Sequence, residues 1–146
     1  MMVTFVAGKS ENALEISQIL EDWAKANYEV PLVHSVEERA DYGRWLLQNT
    51  VVTMVQSSGK NVGFLAVEKN TVQALYIKKN FQGMGFGQAA IRFAQTQFKE
   101  LWLWVFQSNT GAQKFYQRLG FQIVEMTDGQ DNDYYLPDIF YFWKAS

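Results

Sequence analysis

A short glycine-rich segment, QGMGFG at residues 82–87, is the part of the sequence best suited to chemistry. Its glycines cost conformational entropy, which is tolerable where the backbone must approach a ligand closely. A helical pattern follows the segment, so free backbone N–H groups and the positive end of a helix dipole are expected there. Such a site binds anions, and a pyrophosphate group is the expected ligand.

Three phosphate-binding motifs compete for this segment, beside a simple glycine turn without a ligand. A Walker A loop requires Gly-Lys-Ser/Thr, and Gln88 follows Gly87 instead. A dinucleotide-binding loop requires GxGxxG, whose last position holds Gln88, and an acidic residue about 20 positions later, where Gln107 stands. The third motif, Gln/Arg-x-x-Gly-x-Gly/Ala, is satisfied by Gln82, Gly85 and Gly87.

The third motif is the pyrophosphate loop of the GCN5-related N-acetyltransferase (GNAT) family, which the chain resembles elsewhere too. Residues 75–87, LYIKKNFQGMGFG, resemble the family's strand four, loop and helix three, and residues 101–121 resemble its strand five and helix four. The C-terminal TDGQDNDYYLPDIFYFW, residues 127–143, is similar to a subgroup with a TDG…N…PD…W ending. Residues 101–121 keep the family spacing at Asn109, Ala112, Phe115, Tyr116 and Gly120.

The resemblance implies transfer of an acetyl group from acetyl-CoA to an amine by direct attack in a ternary complex. Amides of the glycine loop would hold the CoA pyrophosphate, strand four would pair with the pantetheine arm, and helix four would lie beside the cofactor. The cofactor-binding residues implied in this way are Tyr76, Ile77, Lys78, Gln82, Gly83, Met84, Gly85, Phe86, Gly87, Gln88, Asn109, Ala112, Lys114 and Phe115. Asn109 has a second interpretation as a plain helix N-cap.

The sequence offers one candidate for the general acid of this reaction but leaves the general base open. Tyr116 occupies the position of the family's general acid, although a tyrosine on the apolar face of its helix is also typical of a core residue. The base is open, because residues 71–76, TVQALY, lack the strand-four glutamate of some members. Glu68, His34, and a water chain to surface carboxylates are the candidates, and an already deprotonated amine would need none. A non-catalytic acyl-CoA-binding or regulatory domain is therefore the second hypothesis.

The acceptor pocket in the family is built from the first two helices and the last strand pair. Acidic and aromatic groups in these regions would suit a cationic amine, either a small molecule or a peptide amine. The aromatic and polar residues concerned are Trp23, Tyr28, His34, Trp45, Asp128, Asp131, Asp133 and Tyr134. Core packing of the two tryptophans and a solvated acidic turn are the alternatives.

The elements that position these residues follow from hydrophobic periodicity. Strands are predicted at residues 3–7, 50–56, 61–68, 72–78, 101–106, 121–126 and 139–143, with helices from about 10, from 35, after 87 and from 109. The order βααβββαβαββ indicates an α/β (α+β) fold, with a mixed, mostly antiparallel central sheet of about seven strands flanked by four helices. The wholly apolar LWLWVF at 101–106 predicts a strand buried on both faces.

Composition limits the remaining classes of protein. The 146 residues, of which 48% are hydrophobic, suit a single domain over residues 1–146. The absence of Cys excludes disulfides, thiolate zinc sites and an acetyl-cysteine relay, and a single His argues against a metal site. The net charge of −2 argues against nucleic-acid binding.

The sequence also gives expectations for the location of the protein in the cell and for its oligomeric state. No apolar run reaches the roughly 18 residues of a membrane span, and the N-terminus lacks a signal-peptide layout. A soluble cytoplasmic protein is therefore expected. Family members are often dimers, and the apolar C-terminal strand is the candidate interface for a homodimer.

Overall fold

One mixed sheet organises the protein, whose computed structural model describes residues 2–26 and 35–146. Its strands are β1 (Thr4–Ala7), β2 (Val51–Ser57), β3 (Lys60–Glu68), β4 (Thr71–Ile77), β5 (Glu100–Phe106), β6 (Gln122–Thr127) and β7 (Asp138–Lys144). The helices of the described residues are α1 (Ala13–Ala26), α2 (Val36–Asn49), α3 (Phe86–Gln97) and α4 (Thr110–Arg118). The strands are arranged as β1-β2-β3-β4-β5-β7-β6, and the predicted element order and mostly antiparallel sheet are confirmed.

Local signals in the sequence set the ends of the helices. The Ser35 hydroxyl accepts from the Glu38 amide, and the Glu38 carboxylate accepts from the Ser35 amide, both at 3.1 Å, so a capping box starts α2. Gly120, with a φ of +95°, ends α4 in a left-handed conformation that glycine adopts readily. The predicted start of α2 and end of α4 are thereby confirmed.

The helices cover the two faces of the sheet unequally. α1 and α2 pack on one face of β2, β3 and β4, against side chains such as Ala74 and Tyr76. α3 and α4 pack on the opposite face, where Leu75 and Ile77 lie and where the core continues across β5 and β7. None of the helices in the described ranges is both long and apolar enough to cross a membrane.

The two central strands, β4 and β5, run parallel and are joined at one end only. Thr71 pairs with Trp102, and the Trp102 indole N–H donates to the Thr71 hydroxyl. The Asn70 carbonyl accepts from the Trp102 amide at 3.0 Å, and Asn70 Nδ2 donates to the Glu100 carbonyl at 2.8 Å. Both strands lie wholly within the described residues and share no further bridge, so they separate toward their C-terminal ends.

β5 is buried on one face only, and the prediction of burial on both faces is wrong. Leu101, Leu103 and Val105 pack into the core under α3 and α4, whereas Trp104 is 48% exposed. The Trp104 ring contacts Phe140 of β7, with centroids 4.7 Å apart. The reason is the position of α1 and α2. The core beneath them is formed with β2, β3 and β4 and not with β5 or β7, so these two helices leave this face of β5 uncovered.

Replacing Asn70 tests the tie between β4 and β5. Asn70 has a left-handed φ of +74° and bonds β5 through its side chain, so Asn70→Ala should lower the free energy of unfolding by about 1–2 kcal/mol. Asn70→Gly keeps the backbone conformation and loses only the side-chain bond, so it should cost less. Urea unfolding measures both variants, and stabilities equal to the wild type would contradict this role.

Candidate active site

A cleft of about 970 Å³ opens where β4 and β5 separate. Its walls come from these two strands, from α1, α2 and α4, and from the loop between β6 and β7. The facing edges of the strands carry backbone N–H and C=O groups that no strand pairs, and such groups require a partner such as a ligand or water. The gap is therefore a place where an extended molecule can complete the hydrogen bonding of the sheet.

The glycine loop, residues 82–87, follows the end of β4 at which the strands have separated. Gly83 and Gly85 have φ values of +76° and +90°, and no atom lies within 4 Å of the place where a Cβ would stand. The backbone conformation favours glycine, and the surface above the loop is open. The first turn of α3 carries no acidic residue, so its amides fit an anionic group such as a pyrophosphate. The Gln82 side chain donates to the Ile77 carbonyl at 3.0 Å and ties the loop to β4.

Other residues around the loop contribute in different ways. Phe86 is 1% exposed and packs in the core, so only its backbone amide can face a ligand. A Cβ at Gly87 would stand 3.4 Å from the Phe115 ring, which makes this pair the close contact between α3 and α4. Met84 and Gln88 are exposed on the loop surface.

Lys78 makes its contacts away from the gap, and its place among the cofactor-binding residues stays a prediction. Its amide donates to the Val62 carbonyl of β3 at 2.8 Å, and its ammonium lies 2.8 Å from the Glu15 carboxylate of α1. Burial raises the pKa of Glu15, but hydrogen bonds from Lys78 and Asn61 outweigh it and hold the pKa below its usual value. Neighbouring residues of a strand point their backbone groups to opposite sides, so the amide and carbonyl of Ile77 face the gap.

Tyr116 lies in the wall of the cleft on α4. Its ring packs between Phe115 and Phe121, with centroids 4.9 Å and 5.5 Å away. Burial raises the pKa of Tyr116 above its ordinary value of 10.0, so its hydroxyl stays protonated at neutral pH. Asn109 and Ala112 line the same wall, and Asn109 Oδ1 accepts from the Ala112 amide at 3.0 Å, so the predicted N-cap is confirmed.

The structure describes one of the two side-chain candidates for the general base. Glu68 lies at the end of β3, outside the wall, and Gln73 Nε2 donates to its carboxylate at 3.3 Å. His34 lies outside the described residues. Lys114, expected beside the cofactor phosphates, is exposed on α4 and does not line the cleft.

The half of the cleft beside α1 and α2 is aromatic, and its acidic residues outnumber its cation Arg44, which pairs with Asp41. Trp23 meets Tyr76 edge to face with centroids 5.7 Å apart, and Tyr42 stacks on Trp45 at 5.9 Å. Burial raises the pKa of Tyr76, and the negative charges that Tyr42, Tyr134 and Tyr116 would carry as phenolates raise it further. Further acidic and aromatic residues of the wall are Glu38, Asp41, Trp104, Phe106, Asp133 and Tyr134.

The predicted acceptor residues divide into three groups. Four line the cleft, namely Trp23, Trp45, Asp133 and Tyr134. Asp128 and Asp131 are exposed and stand outside the wall. Tyr28, like His34, lies outside the described residues.

The sequence reasoning missed two prominent residues of the wall, Tyr42 and Trp104. Tyr42 precedes Trp45 by three positions on α2, and this helical spacing is a signal that places both on one face. Trp104 carries no such signal, because its strand is apolar throughout and the face that helices leave uncovered depends on tertiary packing.

Comparison with known proteins bears on the family of this chain. Residues 15–121 match the acetyltransferase (GNAT) family. The chain is 30% identical over 125 residues to the peptidyl-lysine N-acetyltransferase YiaC of Escherichia coli, a match covering 76% of this chain and 80% of YiaC. It is also 30% identical over 106 residues to an uncharacterized N-acetyltransferase of Methanocaldococcus jannaschii, and there the match covers 60% of this chain and 47% of the relative.

A solved structure shares the whole architecture. The solution structure of apo YjaB from Escherichia coli has a TM-score of 0.78 to this protein at 21% identity, over 100% of both chains. The fold of this protein thus agrees with the sequence match. That fold brings together the glycine loop, the separated strands β4 and β5, and the tyrosine of α4. This chain belongs to the acetyltransferase (GNAT) family.

Proposed function

We propose that this protein transfers the acetyl group of acetyl-CoA directly to a primary amine within a ternary complex. The observation that carries the proposal is the gap between β4 and β5, which connects the two faces of the sheet. The glycine loop and α4 lie on one face, whereas α1, α2 and the aromatic and acidic residues lie on the other. An acyl donor and an amine acceptor that enter from opposite faces meet in this gap. The acetyl group then passes directly between them, without an acetyl-enzyme intermediate.

The donor side is formed mainly by backbone groups. Proteins of this family use acetyl-CoA, which supplies a thioester as the acyl donor. In the proposal, amides at the start of α3 bind the pyrophosphate, and the amide of Ile77 binds the pantetheine arm. An amide beside the thioester carbonyl would also stabilise the negative charge that develops on its oxygen. These groups are neutral, so the anion site is compatible with the net charge of −2.

The acceptor side favours a cation with an apolar stem. Glu38 and Asp133 provide negative charge in the wall, and the rings of Trp23, Tyr42 and Trp45 provide aromatic faces that attract an ammonium group. A peptide lysine has this chemistry, and the relative YiaC is a peptidyl-lysine N-acetyltransferase. A small-molecule amine of the same shape is the other acceptor class.

Proton transfers accompany the reaction at the amine acceptor and at the leaving group. The ammonium must lose a proton before it attacks, and we assign this step to water leading to the carboxylates of the wall, because Glu68 stands outside it. As the carbon–sulfur bond breaks, the hydroxyl of Tyr116 gives its proton to the departing thiolate, and the proton that the nitrogen loses on becoming an amide returns through water to the phenolate. Burial raises the pKa of Tyr116, so a phenolate there is unfavourable and the proton that it gives up must be replaced at once.

Calorimetry with acetyl-CoA, followed by a thiol-release assay with several amines, tests the proposal. The amines are a blocked peptide with one internal lysine, a peptide with a free N-terminus, an aliphatic diamine and an aromatic amine. Binding of acetyl-CoA and turnover of at least one amine, with intersecting double-reciprocal plots, are expected. Binding without any turnover would favour a non-catalytic acyl-CoA-binding domain, which the lack of a strand-four carboxylate makes the second candidate. No binding would contradict both.

Gly85→Glu should abolish acetyl-CoA binding, because it places a carboxylate where the pyrophosphate is proposed to sit. Gly59→Glu is the matched control, since Gly59 has a similar φ of +77° and equally open surroundings in the turn between β2 and β3. Both variants carry the same backbone strain and the same added charge. Calorimetry should show binding lost only for the first variant, and retained affinity of Gly85→Glu would contradict the loop assignment.

Tyr116→Phe should lower turnover by on the order of ten- to a hundredfold, a modest value for a general acid because a thiolate is already a fair leaving group. The ring keeps its packing, so the Kd for acetyl-CoA should not change. Tyr141→Phe serves as the control, because it removes a buried hydroxyl that accepts from Gln117 Nε2 at 3.1 Å outside the cleft wall. A rate for Tyr116→Phe equal to the wild type at saturating substrates would remove Tyr116 as the acid.

A further inference from the structure

A buried carboxylate holds the loop between β6 and β7, residues 128–137, which we call the acceptor loop. Asp138, the first residue of β7, is only 7% exposed. One of its carboxylate oxygens accepts from the Thr127 hydroxyl and the other from Asn132 Nδ2 at 3.1 Å. Because burial of a carboxylate is costly without hydrogen bonds, these contacts fix both ends of the loop against β7.

Asn132 is the centre of the acceptor loop. Its Oδ1 accepts from the amides of Tyr134 and Leu136 at 3.0 Å and 3.3 Å. Its Nδ2 donates to the Leu136 carbonyl at 2.7 Å as well as to Asp138. One side chain thus sets the backbone on both sides of the residues that face the cleft, and it does so with all of its polar atoms engaged.

The TDG…N…PD pattern of the sequence is the set of residues that builds this loop. The Thr127 hydroxyl also accepts from the Gly129 amide at 3.1 Å. Gly129 has a φ of +85°, and a Cβ there would stand 2.3 Å from the Leu136 carbonyl oxygen, so no larger residue fits. The Pro137 carbonyl accepts from the Gln107 amide at 2.9 Å.

Gln107 fastens the acceptor loop to the donor side of the cleft. Its Nε2 donates to the Thr127 carbonyl at 2.9 Å and to the Asp138 carbonyl at 3.2 Å. Its own carbonyl accepts from Gln113 Nε2 of α4 at 2.7 Å. The helix that carries Tyr116 and the loop that reaches the acceptor half of the cleft are therefore parts of one hydrogen-bonded unit.

We propose that Asn132 and Asp138 are positioning residues that set the affinity of the enzyme for its amine acceptor. They hold Asp133 and Tyr134 in the wall of the cleft, where the Tyr134 ring meets Phe106 edge to face at 5.4 Å. The carboxylate and the ring are the groups of this loop that a cationic amine would contact. This inference rests on the proposed function, because it assigns the loop to amine binding.

A pair of single variants and their combination test the positioning role. Asn132→Asp sets two carboxylates against each other, and Asp138→Asn sets two amide donors against each other. The double variant Asn132→Asp/Asp138→Asn restores one donor facing one acceptor. Each single variant should raise the KM for the best amine of the panel about tenfold, since small displacements of a binding group are expensive. The kcat at saturating amine and the Kd for acetyl-CoA should stay unchanged. The double variant should recover the part of the KM that depends on the contact between positions 132 and 138, because the Leu136 carbonyl still lacks the donor that Asn132 provides.

The control variant is Asn12→Asp, which adds the same charge at a turn outside the cleft wall, where Asn12 Oδ1 accepts from the Lys9 amide at 2.8 Å. Its KM should equal that of the wild type. A second readout needs no turnover: hydrogen exchange at the amides of Tyr134 and Leu136, followed by NMR, should be slow in the wild type and faster in Asn132→Ala.

Each outcome separates the two proposals. An unchanged amine KM in both single variants overturns the positioning role and leaves acetyl transfer standing. An equal loss of kcat and of acetyl-CoA affinity without recovery in the double variant marks a merely structural network and also overturns it. If the wild type acetylates no amine, the proposed function fails, and equal exchange rates in wild type and Asn132→Ala then overturn the positioning role independently.

Discussion

The single bridge between two parallel strands, Thr71 to Trp102, is the constraint on which the rest of the site depends. Asn70 ties the strands at that end, and beyond it their facing backbone groups have no partner within the sheet. A continuous sheet would satisfy these groups, so the opening persists because each half is held by its own helices and antiparallel neighbours. An acyl donor with an extended arm that contains amide groups can form the hydrogen bonds that these backbone groups lack.

The opening also separates the tasks of binding and recognition. Backbone amides at the start of α3 and along β4 serve the donor, whose shared chemistry needs little variation. Aromatic rings and carboxylates of α1, α2 and the acceptor loop serve the acceptor. The acceptor loop itself is held by hydrogen bonds from neutral donors to the buried Asp138. Gln107 connects these two sides by bonding both the loop and α4. In this account, the affinity for the acceptor can change through the loop without disturbing the donor site.

The sequence predicted best what depends on local physics. The glycines of the loop, the caps at Ser35 and Asn109, and the end of α4 at Gly120 are set by neighbouring residues and by backbone conformation. The order of elements follows from periodicity in the same way, and the family motifs pointed to the fold and the donor.

The features that the sequence did not predict depend on contacts between residues distant in the chain. The Lys78 ammonium pairs with Glu15, 63 positions away, and no local pattern announces it. Trp104 belongs to a wholly apolar strand, yet its exposure is decided by helices that stop at β4. The TDG…N…PD residues were visible as a pattern, but their role required the structure, because Asp138 and Asn132 act through a loop that closes on itself.

Amide hydrogen exchange of the wild type with and without acetyl-CoA, resolved to single residues, tests the central claim most directly. We predict slower exchange at the amides of residues 83–87, in the glycine loop and the first residues of α3, and at Ile77 in the gap, with no change in β1 and β2. It needs no knowledge of the acceptor. Bound acetyl-CoA that leaves both of these regions unchanged and protects another surface would contradict the account.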